Sequence, residues 1–415
     1  MQRVSTNRGN DDMQYYLRQK EVQLNRAENA MGNQQRIQNL RDDPVGAAHS
    51  TRYQSYLFRL EQFRENVDNS QSQMRIAEGF MQEANNVLQR VSELSIQGAN
   101  GTYAKDDLQK MGVEVNELLN ELIQLANAKS ADGVSVFAGT RIDVPAFRSQ
   151  TGRVPGADGA VITGVEYIGS IGTNQAEISE NAFMTPQFAG NKVFWAENQS
   201  IFSPVDAQNF QVQADSSILI DGKEIALKTG DTVHGVISRI NSADLAVKAR
   251  LDPVTNGLIM ETTMPHQLWI QEGPGGSVLK DLGVLSGDQS RPPHNLSPDA
   301  RRFGGSMFDV VINLRDAMLT GDQEALGGRS LLGVRQAQNN LLTNIADLGA
   351  KDSRLDLTGK TLDYENEQVT GNNAKILDLD VTQGITELKM LEYTHKAALG
   401  AAGKVLKPGL IEFLR

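Results

Sequence analysis

Apolar positions between residues 44 and 99 follow a heptad pattern. Steps of three and four residues from Tyr53 to Gly98 meet fourteen positions, and eleven of them are apolar. This pattern predicts one continuous helix over about 44–99, roughly 80 Å long at 1.5 Å per residue. A helix of that length needs partners along its length, so we expect a coiled-coil seam. The candidate core residues in this helix are Leu60, Phe63, Val67, Met74 and Leu88.

Two further segments carry the same spacing. The turn signal "NGT" at 100–102 ends the first helix, and a second helix follows with Leu118 and Leu122 in its apolar stripe. In the C-terminal third, an apolar residue recurs every seven positions from Val334 to Ile376, while the alternate seam positions are mostly polar. So narrow a stripe predicts a helix lying against the first one in an elongated coiled-coil-like bundle. Its candidate core residues are Leu341, Leu348, Leu355 and Leu362.

The middle of the chain has a different pattern. Residues 149–300 hold both tryptophans and most of the prolines, and short alternating runs lie between Gly and Asp turns. We predict strands in "VITGVEYIGSIG", "NKVFWAE" and "DSSILIDGKEIALKTGD". A short helix from Val233 to Ile240 and the strands "AVKARLD" and "GLIMETT" complete a ββαββ-like unit within 211–272. The predicted fold class is therefore mainly α with a β-rich insertion.

Both ends of the chain are amphipathic but weakly apolar. Residues 1–40 and 377–415 have too little apolar surface to hold isolated helices, so we expect disorder in the free monomer and folding against a partner. The remaining predicted regions are a long-helix part at 41–148, the β-rich middle at 149–300 and a second long-helix part at 301–376. The candidate interface residues at the ends are Met13, Leu17, Leu24, Met31, Leu388, Leu391, Ala398, Val405, Leu410 and Phe413.

The stretch "NLRDDPVGAA" at 39–48 sets two carboxylates before a proline. Paired acids could serve a hydrolase or a metal site, but they also fit a helix start. Asp43 suits an N-cap, Pro44 suits the first helical position, and Asp42 adds negative charge near the helix N-terminus. No histidine lies at an informative spacing, so we interpret the stretch as a hinge between the weak end segment and the long helix.

Composition excludes several other functions. The 51 acidic residues outnumber 40 Lys and Arg, giving a net charge of −11 with no basic run, so we expect no nucleic-acid partner. There is no cysteine, and the five histidines lie far apart, so we expect no metal, no cofactor and no enzyme activity. No run approaches the ~20 apolar residues of a membrane span, and "MQRVSTNRGNDDMQYY" lacks a signal-peptide core. We therefore expect no membrane insertion, and export without a cleaved signal.

Several strings resemble the bacterial flagellin superfamily, in particular the FlgL-type hook-associated proteins of the hook–filament junction. They are "QQRIQNLRDDPVGAA", "ELSIQGANGTY", "LANAKSADGVSVFAGT" and the C-terminal "ILDLDVTQGITELKMLEYTHKAALGAAGKVLKPGLIEFL". The middle region resembles the small motif inserted in flagellins. Gln2 and the Gly409-Leu410 pair depart from the usual family endings.

The resemblance implies a structural subunit whose two ends pair as helices in an inner tube. It implies self-association into a ring, contacts with the hook-side junction protein and with flagellin, and an export chaperone at the C-terminal segment. The implied location is the flagellum, which lies outside the cell in most bacteria and in the periplasm in spirochaetes. The stretch "DDPVGAAHSTRYQSY" resembles the spirochaete versions of the family. Filament flagellin is the alternative, and a rod carrying a ligand-binding or hydrolytic β-domain is a further one.

Overall fold

The computed structural model describes residues 5–287, 291–292 and 294–405; the side chains of 5–10 and 405 are not described. The helices are α1 (Ser5–Asn33), α2 (Pro44–Ala99), α3 (Lys105–Ala126), α4 (Gly190–Val193), α5 (Val233–Ser242), α6 (Val278–Asp281), α7 (Met307–Thr320), α8 (Gln323–Ala325), α9 (Leu331–Leu377) and α10 (Val381–Val405). A π-helical turn, Leu326–Ser330, precedes α9.

The chain forms two compact units. The terminal unit comprises Met1–Glu65 and Gly359–Arg415, and the central unit comprises Asn66–Thr358. In the terminal unit α1 packs along α10. In the same unit the Tyr56 hydroxyl lies 2.9 Å from Oε2 of Glu365, and Nε of Arg64 lies 2.9 Å from Oδ1 of Asp363. These bonds join the first part of α2 to the last part of α9.

The heptad positions are buried as the spacing predicts. Nine candidate core residues are at most 4% exposed: Leu60, Val67, Met74, Leu88, Leu122, Leu341, Leu348, Leu355 and Leu362. The other two candidates, Phe63 and Leu118, are partly buried. On α3 the neighbouring Leu119 is fully buried instead. That helix packs against α7, where the side chain of Leu319 lies close to Gly112, so its buried stripe is set by α7.

The middle region contains β1 (Phe147–Arg153), β2 (Ala160–Tyr167), β3 (Ala176–Ser179), β4 (Ala182–Met184), β5 (Ser200–Phe202), β6 (Ser216–Ile220), β7 (Lys223–Leu227), β8 (Val247–Leu251), β9 (Leu258–Thr262), β10 (Ile270–Glu272) and β11 (Arg301–Phe303). Antiparallel sheets have the orders β1-β2, β3-β4, β10-β6-β7 and β11-β5-β9-β8. The predicted ββαββ unit is therefore present, with its two hairpins in different sheets that share one apolar core.

One predicted strand is wrong. The first three residues of "NKVFWAE" belong to the short helix α4 instead, and a single bridge between Trp195 and Ser306 follows. The apolar residues of this stretch are buried in an aromatic cluster, where the Phe194 ring lies 5.0 Å from Phe137 and 5.8 Å from Phe308. A short apolar run gives no periodicity that separates a strand from a buried turn. The fold class, mainly α with a β-rich insertion, is confirmed.

Candidate assembly interface

Two short connections in the terminal unit pair with each other. The N-terminal elbow (residues 34–43) joins α1 to α2, and the C-terminal elbow (residues 378–380) joins α9 to α10. The backbone N–H of Arg36 donates to the carbonyl of Leu377 at 2.7 Å, and the N–H of Leu379 donates to the carbonyl of Gln34 at 3.0 Å. Gln35 and Asp378 thus form an antiparallel bridge between distant parts of the chain.

The side chain of Arg36 strengthens this pairing. Its Nη2 lies 3.2 Å from Oδ2 of Asp43 and 3.1 Å from the carbonyl oxygen of Ile376. One guanidinium therefore contacts both the start of α2 and the last turn of α9. The cation is favoured by the negative charge of the Asp43 carboxylate and by the negative partial charge at the C-terminal end of α9.

The acidic pair of "NLRDDPVGAA" has two separate tasks. Asp43 Oδ1 accepts a hydrogen bond of 2.9 Å from the N–H of Gly46, which is the geometry of an N-cap, and α2 begins at Pro44 as predicted. Asp42 instead accepts hydrogen bonds from the N–H groups of Gln38 and Asn39, so it stabilises the turn before the helix. The bond from Gly46 and then the Arg36 side chain hold the pKa of Asp43 below its ordinary value of 3.8.

The start of α10 has a matching construction. Asp380 Oδ1 accepts hydrogen bonds from the N–H groups of Thr382 at 2.9 Å and Gln383 at 3.2 Å. Near it, a Cβ added to Gly384 would lie 2.8 Å from Sδ of Met31 and 2.8 Å from Cδ2 of Leu379. The close approach of α1 to α10 at this end therefore depends on a glycine. Sequence reasoning missed Arg36 and Gly384, because only the pairing in space gives them a role, and it did not single out the local cap at Asp380.

The predicted end residues lie along the contact of α1 with α10. All seven whose side chains are described are partly buried: Met13, Leu17, Leu24, Met31, Leu388, Leu391 and Ala398. Val405 is the last residue of α10, and Leu410 and Phe413 lie outside the described residues. Because α1 packs on α10, this seam already has an intramolecular partner. A role of these residues between subunits stays a prediction.

Other apolar side chains of the terminal unit are exposed. Twelve large ones are 40% or more exposed: Tyr15, Tyr16, Val22, Leu40, Val45, Phe58, Tyr364, Val381, Ile385, Met390, Tyr393 and Leu399. By contrast, four hydrophobic side chains of this unit are buried among the described residues: Ile37, Leu60, Leu362 and Ala402. Exposed apolar surface on this scale marks an interaction site, and the unit has little core of its own.

The central unit contains an acid–histidine pair that the sequence spacing did not reveal. Nε2 of His266 lies 3.0 Å from Oδ2 of Asp221, and Nδ1 lies 2.9 Å from the carbonyl oxygen of Met264. Asp221 also accepts a hydrogen bond from the N–H of Trp269 and has φ 49° in the β6–β7 turn. Both ring nitrogens thus have protein partners, so the pair fastens a turn to the neighbouring loop and leaves no nitrogen for a substrate.

Two further features follow from the described part of the chain. Among residues 5–287, 291–292 and 294–405, no group of three His, Asp or Glu side chains could hold a metal ion. Within the same residues, no helix has the length and apolar character to cross a membrane.

Residues 4–141 match the family model of the bacterial flagellin N-terminal helical region. The N-terminal third of the chain is thus flagellin-like. It is 24% identical over 405 residues to Flagellin A of Vibrio anguillarum, covering 95% of this chain and 94% of that protein. It is 35% identical over 105 residues to the flagellar filament 30.7 kDa core protein of Treponema maltophilum, covering 25% of this chain and 37% of that protein.

A solved structure of flagellar hook-associated protein 3 from Legionella pneumophila is similar over 78% of this chain and 98% of that one, with 18% identity and a TM-score of 0.47. In the present chain, the region that matches the flagellin model, residues 4–141, holds α1, α2, α3 and the N-terminal elbow. The acidic pair therefore lies inside the helical region of a structural flagellar family.

Proposed function

We propose that this chain is the flagellar subunit that forms the hook–filament junction and adapts the hook to the flagellin filament. The observation that carries the proposal is the imbalance in the terminal unit, where twelve large apolar side chains are exposed and four hydrophobic ones are buried. Helices with so little core need further partners, and copies of the same subunit in a ring would supply them. The helices α1 and α10 would then line the inner tube.

The elbows favour the junction subunit. The "DDP" string and the C-terminal string favour the junction type, and both lie at the elbows: Asp43 of "DDP" contacts Arg36, and Leu377 and Leu379 of the C-terminal string pair with Arg36 and Gln34. Arg36 holds this pairing through Asp43 and Ile376. A subunit between two different assemblies needs a defined relation between its inner and outer helices, and this cluster would fix that relation.

Filament flagellin is the second candidate. It is favoured by the similarity to Flagellin A of Vibrio anguillarum, which extends over 95% of this chain. A flagellin polymerises into long filaments as a pure protein, whereas a junction subunit stops after a short ring. Negative-stain electron microscopy of the purified protein therefore separates the two candidates.

A hydrolytic middle domain is the third candidate. The Asp221–His266 pair is the arrangement that would carry it, but His266 is 7% exposed and both of its ring nitrogens are engaged. We therefore expect no activity in a hydrolase screen of the full chain. Activity that is lost in His266→Gln would support an enzymatic role instead.

The partners proposed for the junction subunit are the hook-side junction protein, flagellin, further copies of the chain, and an export chaperone on the C-terminal segment. The flagellum would be outside the cell, or in the periplasm of a spirochaete. The test is deletion in the source bacterium followed by electron microscopy. We expect hooks without attached filaments, and a band at the junction when tagged protein restores them. Normal filaments in the deletion strain would overturn the proposal.

A paired substitution tests whether the exposed apolar faces carry assembly. Tyr16→Ser and Tyr393→Ser remove aromatic side chains that are 62% and 76% exposed on α1 and α10. We expect both variants to fail to restore filaments while their monomers unfold as the wild type does. Val254→Ser, at a position 85% exposed in the central unit, is the matched control and should restore filaments.

A further inference from the structure

The turn signal "NGT" at 100–102 places an asparagine directly before a glycine at the end of α2. The chain has one other Asn-Gly pair, Asn256-Gly257, in the loop between β8 and β9. Asparagine is a thermolabile residue, because the backbone nitrogen of the next residue can attack its side-chain amide carbon. A glycine at that position hinders the attack least, since it has no Cβ. The two pairs carry the same residues, so the surrounding structure decides which of them reacts.

The first pair is open. Asn100 and Gly101 are both exposed, and Gly101 has φ 69°. The N–H of Asn100 donates to the carbonyl of Gln97 at 3.2 Å, which closes the last turn of the helix. Within the described part of the chain, neither the N–H of Gly101 nor the side-chain amide of Asn100 has a hydrogen-bond partner. The two groups that must meet are therefore not held apart by other contacts.

The second pair is held on several sides. Gly257 is buried, and its N–H donates to Oγ1 of Thr255 at 3.3 Å. Its carbonyl accepts from the N–H of Asp252 at 2.9 Å. A Cβ on Gly257 would collide with the backbone oxygen of Ser203, so two segments of backbone pack closely there. The nitrogen of Gly257 can therefore approach the side chain of Asn256 only when this loop opens.

We propose that Asn100 is a site of spontaneous deamidation and that Asn256 is protected from it by its contacts. The backbone nitrogen of Gly101 bonds to Cγ of Asn100 and the C–N bond of the side-chain amide breaks. The amide group leaves as ammonia with the proton of the Gly101 N–H. Water then opens the resulting cyclic imide at one of its two carbonyls, which leaves aspartate or isoaspartate at position 100.

Either product puts a carboxylate at the C-terminal end of α2, where the helix already has a negative partial charge. Isoaspartate also adds a carbon atom to the backbone of the turn between α2 and α3. That turn contacts the start of α8, where Nε2 of Gln323 donates to the carbonyl of Tyr103 at 3.4 Å. Deamidation would therefore loosen this turn as the protein ages.

The test incubates the full-length protein in H₂¹⁸O at neutral pH and then digests it with trypsin in ordinary water. Deamidation during the incubation leaves ¹⁸O in the new carboxylate, and deamidation during the digestion leaves none. Asn100 lies in the tryptic peptide 91–105, and Asn256 lies in the peptide 251–280. We expect ¹⁸O to enter 91–105 about tenfold faster than 251–280, because the second site must first break a hydrogen bond and open its loop.

Three variants assign the label to the proposed chemistry. Asn100→Gln should remove it from 91–105, which excludes Gln97 of the same peptide as its source. Thr255→Val removes the acceptor of the Gly257 N–H and should speed the labelling of 251–280 about fivefold. Thr102→Val, beside the first pair, is the matched control and should leave the labelling of 91–105 unchanged.

Unfolding in urea tests the part played by the structure. We expect both peptides to take up ¹⁸O at about the same rate there, because unfolding removes every contact that distinguishes the two Asn-Gly pairs. Equal rates in the folded protein would overturn the proposal, and so would label that enters 91–105 only after unfolding. A tenfold difference that persists in urea would assign the difference to the neighbouring sequence and also contradict it.

Discussion

Nη2 of Arg36 lies 3.1 Å from the carbonyl oxygen of Ile376, although the two residues are 340 positions apart in the chain. The same nitrogen contacts Asp43, the N-cap of α2. One side chain therefore links the beginning of the long N-terminal helix to the end of the long C-terminal helix. The predictions for the elbows start from this contact.

Arg36→Gln should loosen the elbow pairing. The shorter neutral side chain loses both the carboxylate and the carbonyl partner. We expect the amide protons of Arg36 and Leu379 to exchange about fivefold faster, a modest factor because the ion pair is partly exposed. Hydrogen exchange read by mass spectrometry measures this. Arg41→Gln, in the same elbow, is the control and should leave the exchange rates of both amides unchanged. Equal exchange rates in the two variants would show that the Arg36 side chain does not stabilise the elbow pairing.

Asp43→Asn separates the charge of the cap from its hydrogen bond. Because the pKa of Asp43 in the folded protein lies below 3.8, its charged form stabilises the helix start above that pH. This contribution is lost as the pH falls below 3.8 through the folded-state pKa. Asparagine keeps an acceptor for the Gly46 N–H but does not titrate. The protection factor of the Gly46 amide, which is its exchange rate relative to the intrinsic rate at the same pH, should therefore fall at low pH in the wild type and stay level in Asp43→Asn.

Gly190→Ala should destabilise the aromatic cluster of the central unit. A Cβ there would lie 2.8 Å from Cε2 of Phe147 and 3.0 Å from the backbone oxygen of Phe137. Overpacking of this kind costs about 1–3 kcal/mol. Gly349→Ala is the matched control, since nothing lies within 4 Å of its Cβ in α9, and helix propensity should add roughly 0.5–1 kcal/mol of stability. Urea unfolding should move the two variants in opposite directions.

Glu272→Gln should remove an unfavourable charge near α6. Burial raises the pKa of Glu272 above its ordinary value of 4.5, and one of its carboxylate oxygens has no partner among the described residues. The contribution of Glu272 to stability is thus most favourable below pH 4.5, and it decreases as the pH rises through the folded-state pKa.

Glutamine can still accept from the N–H groups of Leu279 and Lys280, which now bond to Glu272. We expect the melting temperature of Glu272→Gln to exceed that of the wild type by roughly 1–3 °C at pH 7 and to equal it near pH 4. Glu224→Gln, at an exposed position on β7, should match the wild type at both pH values. An increase that persists at pH 4 would contradict the explanation through ionisation.

The sequence was most informative where one physical rule acts over many residues. The heptad spacing predicts α2 and α9 and most of their buried positions, because a long helix can bury only the stripe that its period defines. The N-cap at Asp43 follows from three adjacent residues. Phe63 and Leu118 are less buried than the spacing predicts, since the neighbouring elements decide how far each stripe is covered.

Features that arise only when distant residues come together in space could not be predicted from the sequence. Arg36 is one basic residue among 40 Lys and Arg, and only the return of the chain to residues 376–379 gives it a role. His266 lies 45 positions from Asp221, so no local motif signals their contact. The two Asn-Gly pairs carry the same residues, and the contacts that distinguish them depend on packing, which a pattern of apolar and polar residues does not encode.

The pairing of the elbows forms only when both residues 34–36 and residues 377–379 are present in the polypeptide. The N–H of Arg36 and the carbonyl of Gln34 have partners only in residues 377–379, close to the other end of the chain. A chain cut before those residues would leave both groups open, and Arg36 would hold Asp43 without Ile376. Only a subunit that reaches residue 379 can therefore close its own elbows, and a copy cut before it would present a malformed end to its neighbours.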